Sequence, residues 1–209
     1  MSEMLYQNEV IGQGVIVHKY STPKVTILTL STGRATSVAN YPKFVCFNEA
    51  KEKADKLNQY DHVTIVGNVQ SSIRNRDGKR YVTQSNYVDD IFETPRAMEK
   101  DFGIKSGEFE APINEVKIAG ELVSVAVPSE NILRIVVRTM KNERMSNVQA
   151  FYFTNRAEKI AESLKKGDNV CLLGTIQTTK KEKAIENSDE KEVKHYENVV
   201  IRRLRKKED

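Results

Sequence analysis

The ten residues Asp61-His62-Val63-Thr64-Ile65-Val66-Gly67-Asn68-Val69-Gln70 return as Asp168-Asn169-Val170-Cys171-Leu172-Leu173-Gly174-Thr175-Ile176-Gln177, a shift of 107 positions (61 to 168). Both copies open on aspartate, place a glycine after the apolar run and close on glutamine. Order and spacing persist together, so the chain reads as one unit used twice, and a repeat of this kind sets the architecture before any local signal does. A second match points the same way: Asn8-Glu9-Val10 followed by Gly14 recurs as Asn114-Glu115-Val116 followed by Gly120, a shift of 106 (8 to 114).

Each half also places an aromatic strand, Phe44-Val45-Cys46-Phe47 and later Phe151-Tyr152-Phe153, just before a short helical pattern. Ala50, Ala54 and Leu57 recur at i, i+4 and i+7, and Ala157, Ile160, Ala161 and Leu164 at i, i+3, i+4 and i+7, the spacing of one helix face. Asn48 and Asn155 stand where helix caps are expected. Strand patterns cover 10–20, 25–30, 43–47, 62–73 and 80–92 in the first half, and 116–127, 132–139, 148–153, 169–178 and 195–204 in the second. Five strands with a helix between the third and fourth is the order of the OB-fold, a small, partly open barrel. The expected fold is therefore all-β with short helices: two tandem OB-fold five-stranded barrels, each with one helix between strands 3 and 4. Domain 1 spans 1–93, a linker 94–112 and domain 2 113–209. Pro95, Gly103, Gly107 and Pro112 amid alternating charges mark the linker, which also carries a short helical pattern over 95–102. Gly14, Gly67, Gly120 and Gly174 fall inside strand patterns, as glycines do at the bulges and bends of small barrels. The stretch 180–194, apolar only at Ala184, Ile185 and Val193, reads as an exposed loop between the last two strands.

Composition narrows the function classes. With 39% hydrophobic and 30% charged residues in 209, the chain is an ordinary globular one rather than a disordered one. No run approaches the roughly 20 apolar residues of a membrane span. The opening Met1-Ser2-Glu3-Met4 has neither the basic nor the apolar part of a signal region. Together these point to a cytoplasmic protein with no membrane partner. Cys46 and Cys171, each among apolar or aromatic neighbours, read as small core hydrophobes rather than a disulfide. His18, His62 and His195 are scattered, with no metal-ligand spacing toward the cysteines. Gly12-Gln13-Gly14 lacks the third glycine of a dinucleotide-binding turn, Val17 standing in its place. With no nucleophile elbow, phosphate loop or paired carboxylates, the chain reads as a non-enzyme with no catalytic residue, metal or cofactor. A net charge of +4 permits nucleic-acid binding without demonstrating it.

Asn114-Glu115-Val116-Lys117-Ile118-Ala119-Gly120-Glu121-Leu122, Arg134-Ile135-Val136-Val137-Arg138, the aromatic strand ending in Phe153, Lys165-Lys166-Gly167-Asp168, Leu173-Gly174-Thr175-Ile176-Gln177-Thr178 and Tyr196 follow one another in the second half. That series resembles the bacterial single-stranded DNA-binding protein family, and the first half follows it more loosely through the repeat. The resemblance implies a factor of DNA replication, recombination or repair that coats exposed strands with four barrels. A chain carrying two barrels resembles the tandem form of the family, which pairs as a homodimer. Two features depart from the pattern. Family members usually end in a flexible acidic tail that recruits other repair proteins, whereas this sequence ends Arg202-Arg203-Leu204-Arg205-Lys206-Lys207-Glu208-Asp209. Members also stack bases on tryptophans, and this sequence has none.

Single strands are held by a basic groove that follows the phosphates and by aromatic faces that stack on the bases. At the stacking positions the resemblance implies, the first half has Tyr41 and Phe47 and the second has Asn147 and Phe153. Burial inside a barrel is the alternative for both phenylalanines. In Arg74-Asn75-Arg76-Asp77-Gly78-Lys79-Arg80-Tyr81 the Asp-Gly pair is a hairpin signal. It sets Arg74, Arg76, Lys79 and Arg80 around one turn beside Tyr81, in the loop between strands four and five that OB-folds use for binding. A solubilising charged tip is the alternative there. In the second half Lys180, Lys181 and Lys183 begin the matching loop, but Glu186, Asp189, Glu190 and Glu192 follow. Arg134 and Arg138 share one strand face by alternation, lining either a groove or a solvated surface, with Lys141 and Arg144 in the loop beyond. The expected DNA-binding set is Tyr41, Phe47, Arg74, Arg76, Lys79, Arg80, Tyr81, Arg134, Arg138, Phe153 and Lys181, with single-stranded DNA as partner and replication or recombination proteins as further partners. The rival reading is an assembly module whose barrels dock replication proteins with weak or no nucleic-acid binding. RNA is a third possibility, since stacking alone does not separate it from DNA.

Overall fold

The period-two patterns become strands in the computed structural model, which describes residues 6–32, 40–76, 78–93, 113–184 and 191–207. In chain order they are β1 (Gln7–Ser21), β2 (Thr26–Ser31), β3 (Lys43–Cys46), α1 (Asn48–Lys56), β4 (His62–Arg76), β5 (Lys79–Glu93), β6 (Ile113–Ser129), β7 (Ile132–Lys141), β8 (Arg144–Phe153), α2 (Ala157–Ser163), β9 (Asn169–Ala184) and β10 (Lys191–Lys206). In the first half the strands pair in the order β1-β2-β3-β5-β4 and close back on β1, with β3 and β5 parallel. The second half repeats this as β6-β7-β8-β10-β9, closing on β6, with β8 and β10 parallel. These are two OB-fold barrels. The expected linker and its helical pattern over 95–102 lie outside the described residues. Among described residues no helix is long and apolar enough to cross a membrane.

Closure demands that one strand serve two neighbours. β1 pairs with β4 through Val10 to Val15 and with β2 through Val15 to Ser21, bending at a bulge between Ile16 and His18. The repeated glycines sit where backbones cross most closely. A Cβ on Gly14 would lie 2.1 Å from the Ser31 carbonyl oxygen, and one on Gly120 2.0 Å from that of Arg138. Gly67 and Gly174 face the carbonyls of Tyr87 and Val200 in the same way, at 2.1 and 2.4 Å. The sequence repeat is thus a repeat of close approaches, which only a residue without a side chain allows.

Inward-facing Leu28, Leu30, Phe44, Val63 and Ile65 fill the first barrel, and Leu133, Ile135, Val137, Val148 and Leu172 the second. One pair of core positions is exchanged between them. Phe44 lies against Gly12, whose Cβ would meet the ring at 2.4 Å. The equivalent positions hold Ala150 and Ile118, both buried, so bulk has moved from one strand to its neighbour. Cys46 is also buried, and burial first, then the charge of Asp55, pushes its thiol up to about 12, leaving it a small hydrophobe.

The helices cover one end of each barrel through Ala50, Ala54 and Leu57, and through Ala157 and Leu164. Neither expected asparagine cap forms. Asn48 is itself the first helical residue, at φ 49°, and the capping positions are Phe47 and Arg156, neither with a side-chain cap bond. At α2 the Thr154 hydroxyl instead accepts from the Arg156 N–H at 3.2 Å. The stretch expected as a loop from 180 to 194 is mostly ladder: β9 and β10 stay paired out to Ala184 and Lys191. A ladder requires backbone groups rather than apolar side chains, which is why hydropathy missed it.

The barrels are fused along β1 and β6, antiparallel from Gln7↔Ala119 to Gln13↔Ile113 with Val10↔Val116 at the centre. A shift of 106 carries Val10 onto Val116, so the pairing is symmetric about this point. The repeated asparagines flank it. Asn8 donates to the Val69 carbonyl at 2.8 Å and accepts from the Val69 N–H at 2.9 Å. Asn114 does the same to Ile176, at 2.7 and 2.8 Å. Each amide satisfies a strand backbone just past the point where it leaves its partner, as a buried N–H and C=O require.

Candidate nucleic-acid interface

Strand alternation puts Tyr41, Lys43, Val45 and Phe47 on the outer face of the first barrel, because Phe44 and Cys46 point into its core. Tyr41 is 44% and Phe47 42% exposed, and Phe153 in the second barrel is 57% exposed, so burial is not the role of either phenylalanine. The Phe47 ring stacks on Tyr87 with centroids 5.6 Å apart and planes 12° from parallel. Tyr87 belongs to the same outer face, since it pairs in register with Val45 on one side and Asn68 on the other.

The stacked pair opens into a cleft of about 630 Å³ between the two barrels. The first barrel contributes Phe47, Asn68, Gln70, Tyr87 and Asp89, and the second contributes Lys141 and Arg144 from the turn joining β7 to β8. Asn142 and Glu143 in that turn have φ of 48° and 62°, the left-handed pair of a two-residue hairpin, so Lys141 and Arg144 flank its tip. Inside the cleft Gln70 Nε2 donates to Asn68 Oδ1 at 2.9 Å, Asn68 Nδ2 donates to Asp89 Oδ1 at 3.0 Å, and Lys141 Nζ pairs with Asp89 Oδ2 at 3.3 Å. The arrangement offers an aromatic surface, hydrogen-bonding amides and cations within one opening.

The second barrel's outer face differs. Arg134 is exposed and lies opposite Phe151 in register, two positions along the ladder from Phe153 opposite Ile132. Arg138 is only partly available, since its guanidinium pairs with Glu121 at 3.2 Å. Where the first barrel has Tyr87, the second has the buried Val200, so Phe153 has no equivalent stacking neighbour at that position.

At the end of the β4–β5 ladder Arg76 and Lys79 stay in register, with Gly78 at φ 70°. The side chains of Arg74, Arg76, Lys79, Arg80, Tyr81 and Lys181 lie outside the described residues. Each long hairpin crosses to the third strand of the other barrel. From the first, Gln84 accepts the Gln149 N–H and donates to its carbonyl at 3.1 Å, while Ser71 Oγ accepts the Asn147 N–H at 3.2 Å. From the second, Glu197 accepts the Lys43 N–H at 2.9 Å and Thr178 Oγ1 accepts the Tyr41 N–H at 3.0 Å. Tyr41 is thereby held by the opposite barrel. Burial pushes the Glu197 carboxyl up to about 7, against the opposing pull of the Lys43 N–H and charge and of the Asn86 amide.

The structure therefore groups Phe47 with residues absent from the expected set, namely Tyr87, Asn68, Gln70 and Asp89. Among described residues no cluster of three or more His, Cys, Asp or Glu side chains is placed to hold a metal. No family model matches the sequence, and no curated protein matches it. Among solved structures, the fold is similar to wild-type single-stranded DNA binding protein from Thermus aquaticus, with a TM-score of 0.64 and 16% identity over 98% of this chain and 94% of that one. A deletion mutant of the same Thermus aquaticus protein gives a TM-score of 0.65 at 16% identity, over 98% of this chain and 96% of that one. At this level of identity the likeness establishes the fold.

Proposed function

We propose that the chain binds single-stranded DNA with little sequence preference and without chemistry on it, as a cytoplasmic factor of replication, recombination or repair. The fold alone does not decide this, because OB barrels serve many functions. The observation that carries the reading is the stack of exposed Phe47 on half-buried Tyr87, opening into a cleft rimmed by Lys141 and Arg144. Every base has a π-face, so an aromatic platform accepts any of them, at roughly 1–3 kcal/mol per stacked base. The cations meet the phosphates, which carry no sequence information. In this reading the domains 1–93 and 113–209 are joined by 94–112, the basic hairpin from Arg74 to Tyr81 extends the path, and a homodimer presents four barrels.

A fluorescence anisotropy titration of labelled oligo-dT at low salt tests the proposal. Saturable binding at micromolar protein or below is expected, weakening steeply as salt rises because each neutralised phosphate releases a counterion. No saturable binding would overturn it. One observation favours the docking of replication or recombination proteins instead. Ile73 and Val82 face each other across the first hairpin and are both exposed, an apolar pair that phosphate binding does not use. Failure of the titration together with a fully folded chain would leave that reading in place.

A further inference from the structure

The cleft between the barrels holds a contact that works against an anionic ligand. Asp89 has no partner across the ladder, since the register passes from Val66↔Asp90 to Gly67↔Val88 and leaves it at a bulge. Its carboxylate is turned into the cleft, one oxygen fixed by Asn68 and the other paired with Lys141. Lys141 comes from the other barrel, so this ion pair spans the seam. Both side chains are partly exposed, at 35% for Lys141 and 30% for Asp89, which leaves the pair open to exchange. Arg144 stands beside Lys141 across the tight turn. A volume of about 630 Å³ lies within the roughly 300–1,000 Å³ typical of ligand clefts, and it is bounded by an aromatic pair on one side and two cations on the other.

We infer that this seam is a composite nucleotide site with a built-in competitor. A base of the single strand stacks on Phe47 and Tyr87 of the first barrel, its phosphate is held by Lys141 and Arg144 of the second, and Asp89 occupies Lys141 until the phosphate displaces it. The inference rests on the single-stranded DNA reading and adds to it a place where the strand passes from one barrel to the other. It also adds an internal brake. Displaced Asp89 regains a counterion from solution, which offsets one of the counterions the DNA releases. The wild-type salt dependence is therefore shallower than the number of phosphate contacts alone would give.

The test is an anisotropy titration of labelled oligo-dT across a salt series with the full chain, for wild type, Asp89→Asn, Lys141→Gln and the double variant. All three variants change partly exposed side chains, and circular dichroism confirms that each is folded. Asp89→Asn is expected to tighten binding about five- to tenfold at low salt, and to steepen the slope of log K against log salt by up to about 0.7, the value for one phosphate contact on a single strand. Lys141→Gln is expected to weaken binding, and the double variant to behave as Lys141→Gln alone, because Asp89 acts through Lys141. An equal gain from Asp89→Asn with and without Lys141 would overturn the inference, since the effect would then be one of general charge. Wild-type binding that none of the variants alters would overturn it too while leaving the single-stranded DNA reading intact. Absence of binding by the wild type would overturn both.

Discussion

The two barrels share a strand order, a pair of close glycine contacts and an asparagine clamp, yet they differ at several places that matter. In the core, Phe44 over Gly12 in the first faces Ala150 beside Ile118 in the second. On the outer face, Tyr87 in the first stands where the second has buried Val200. At the junction, the first hairpin reaches across with the neutral Gln84 and the second with the acidic Glu197. The shared features all serve backbone geometry, and the differing ones all concern side-chain volume or charge. What closes a barrel is common to both halves and what decorates it is not, so each difference can be tested by converting one barrel toward the other.

The largest effect is expected in the core. Phe44→Ala leaves a cavity and should cost about 3–5 kcal/mol. Gly12→Ile drives a side chain into the Phe44 ring, and overpacking of this kind costs about 1–3 kcal/mol or more. Made together, the two changes install the second barrel's Ala150–Ile118 arrangement in the first. The double variant is then expected to recover at least about 2 kcal/mol of the summed losses, the size of coupling seen between residues in contact. Denaturant unfolding followed by circular dichroism measures it. Additive losses would show that the exchanged volumes are not equivalent.

Next in size is the junction. Gln84 can donate and accept, and so satisfies both backbone groups of Gln149. A carboxylate only accepts, so beside Glu197 the Lys43 carbonyl takes its hydrogen bond from Asn86 Nδ2, which also donates to Glu197 at 3.0 Å. The position equivalent to Asn86 in the second barrel is Val199. Among the described residues Glu197 is the one titratable side chain on the small crevice it shares with Gln84 and Asn86, and Lys43 is the charge that acts on it. Its carboxyl is raised from 4.5 to about 7, so the folded chain binds this proton more tightly than the unfolded one. Stability from this group is therefore full below about pH 4.5, falls as pH rises to about 7 and is level above that. The total fall is at most about 3–4 kcal/mol, because each tenfold gain in proton affinity is worth about 1.4 kcal/mol. Glu197→Gln with Asn86→Val makes this junction a copy of the other. Thermal or denaturant unfolding between about pH 4.5 and 8 should show the slope of the wild type removed and the variant more stable at the alkaline end. A slope that survives the substitutions would place its source elsewhere.

These tests depend on contacts the sequence carried unequally. The repeat at 61–70 and 168–177, with the aromatic strands and helix patterns, was enough for two five-stranded barrels and their order. Phe47 was marked by the family resemblance, with burial inside the barrel left as the alternative, and it is the exposure that the fold decides. Tyr87 was not legible, because the bulge at Val66 and Gly67 skips Asp89 and breaks the alternation from which its face would be read; a slip of one residue sends a side chain to the other side of a sheet. Lys141 and Arg144 were visible as a basic loop, but nothing local says that the loop faces the opposite barrel. The Asn-Glu-Val repeat was visible as letters, while its meaning depends on which strand lies beside Val69 and Ile176.

The smallest expected effect concerns the charge available on the second barrel. Arg138 and Glu121 are paired in register, where the first barrel has Ser31 and Val15, so the ion pair is an addition of the second half. The Arg138 side chain is 43% exposed, and an exposed pair of this kind contributes only about 0.2–1 kcal/mol. Glu121→Gln should therefore leave folding nearly unchanged while freeing Arg138 to meet phosphates alongside Arg134. Oligo-dT affinity is expected to rise about two- to fivefold at low salt, and the gain should vanish as the screening length shortens at high salt. The same substitution combined with Arg138→Gln should give no gain. An unchanged affinity at low salt would put Arg138 off the path of the strand. The second barrel's share of the binding outside the Lys141 and Arg144 turn would then reduce to Arg134 beside Phe151 and Phe153, and the difference between the halves would be wider than their shared fold implies.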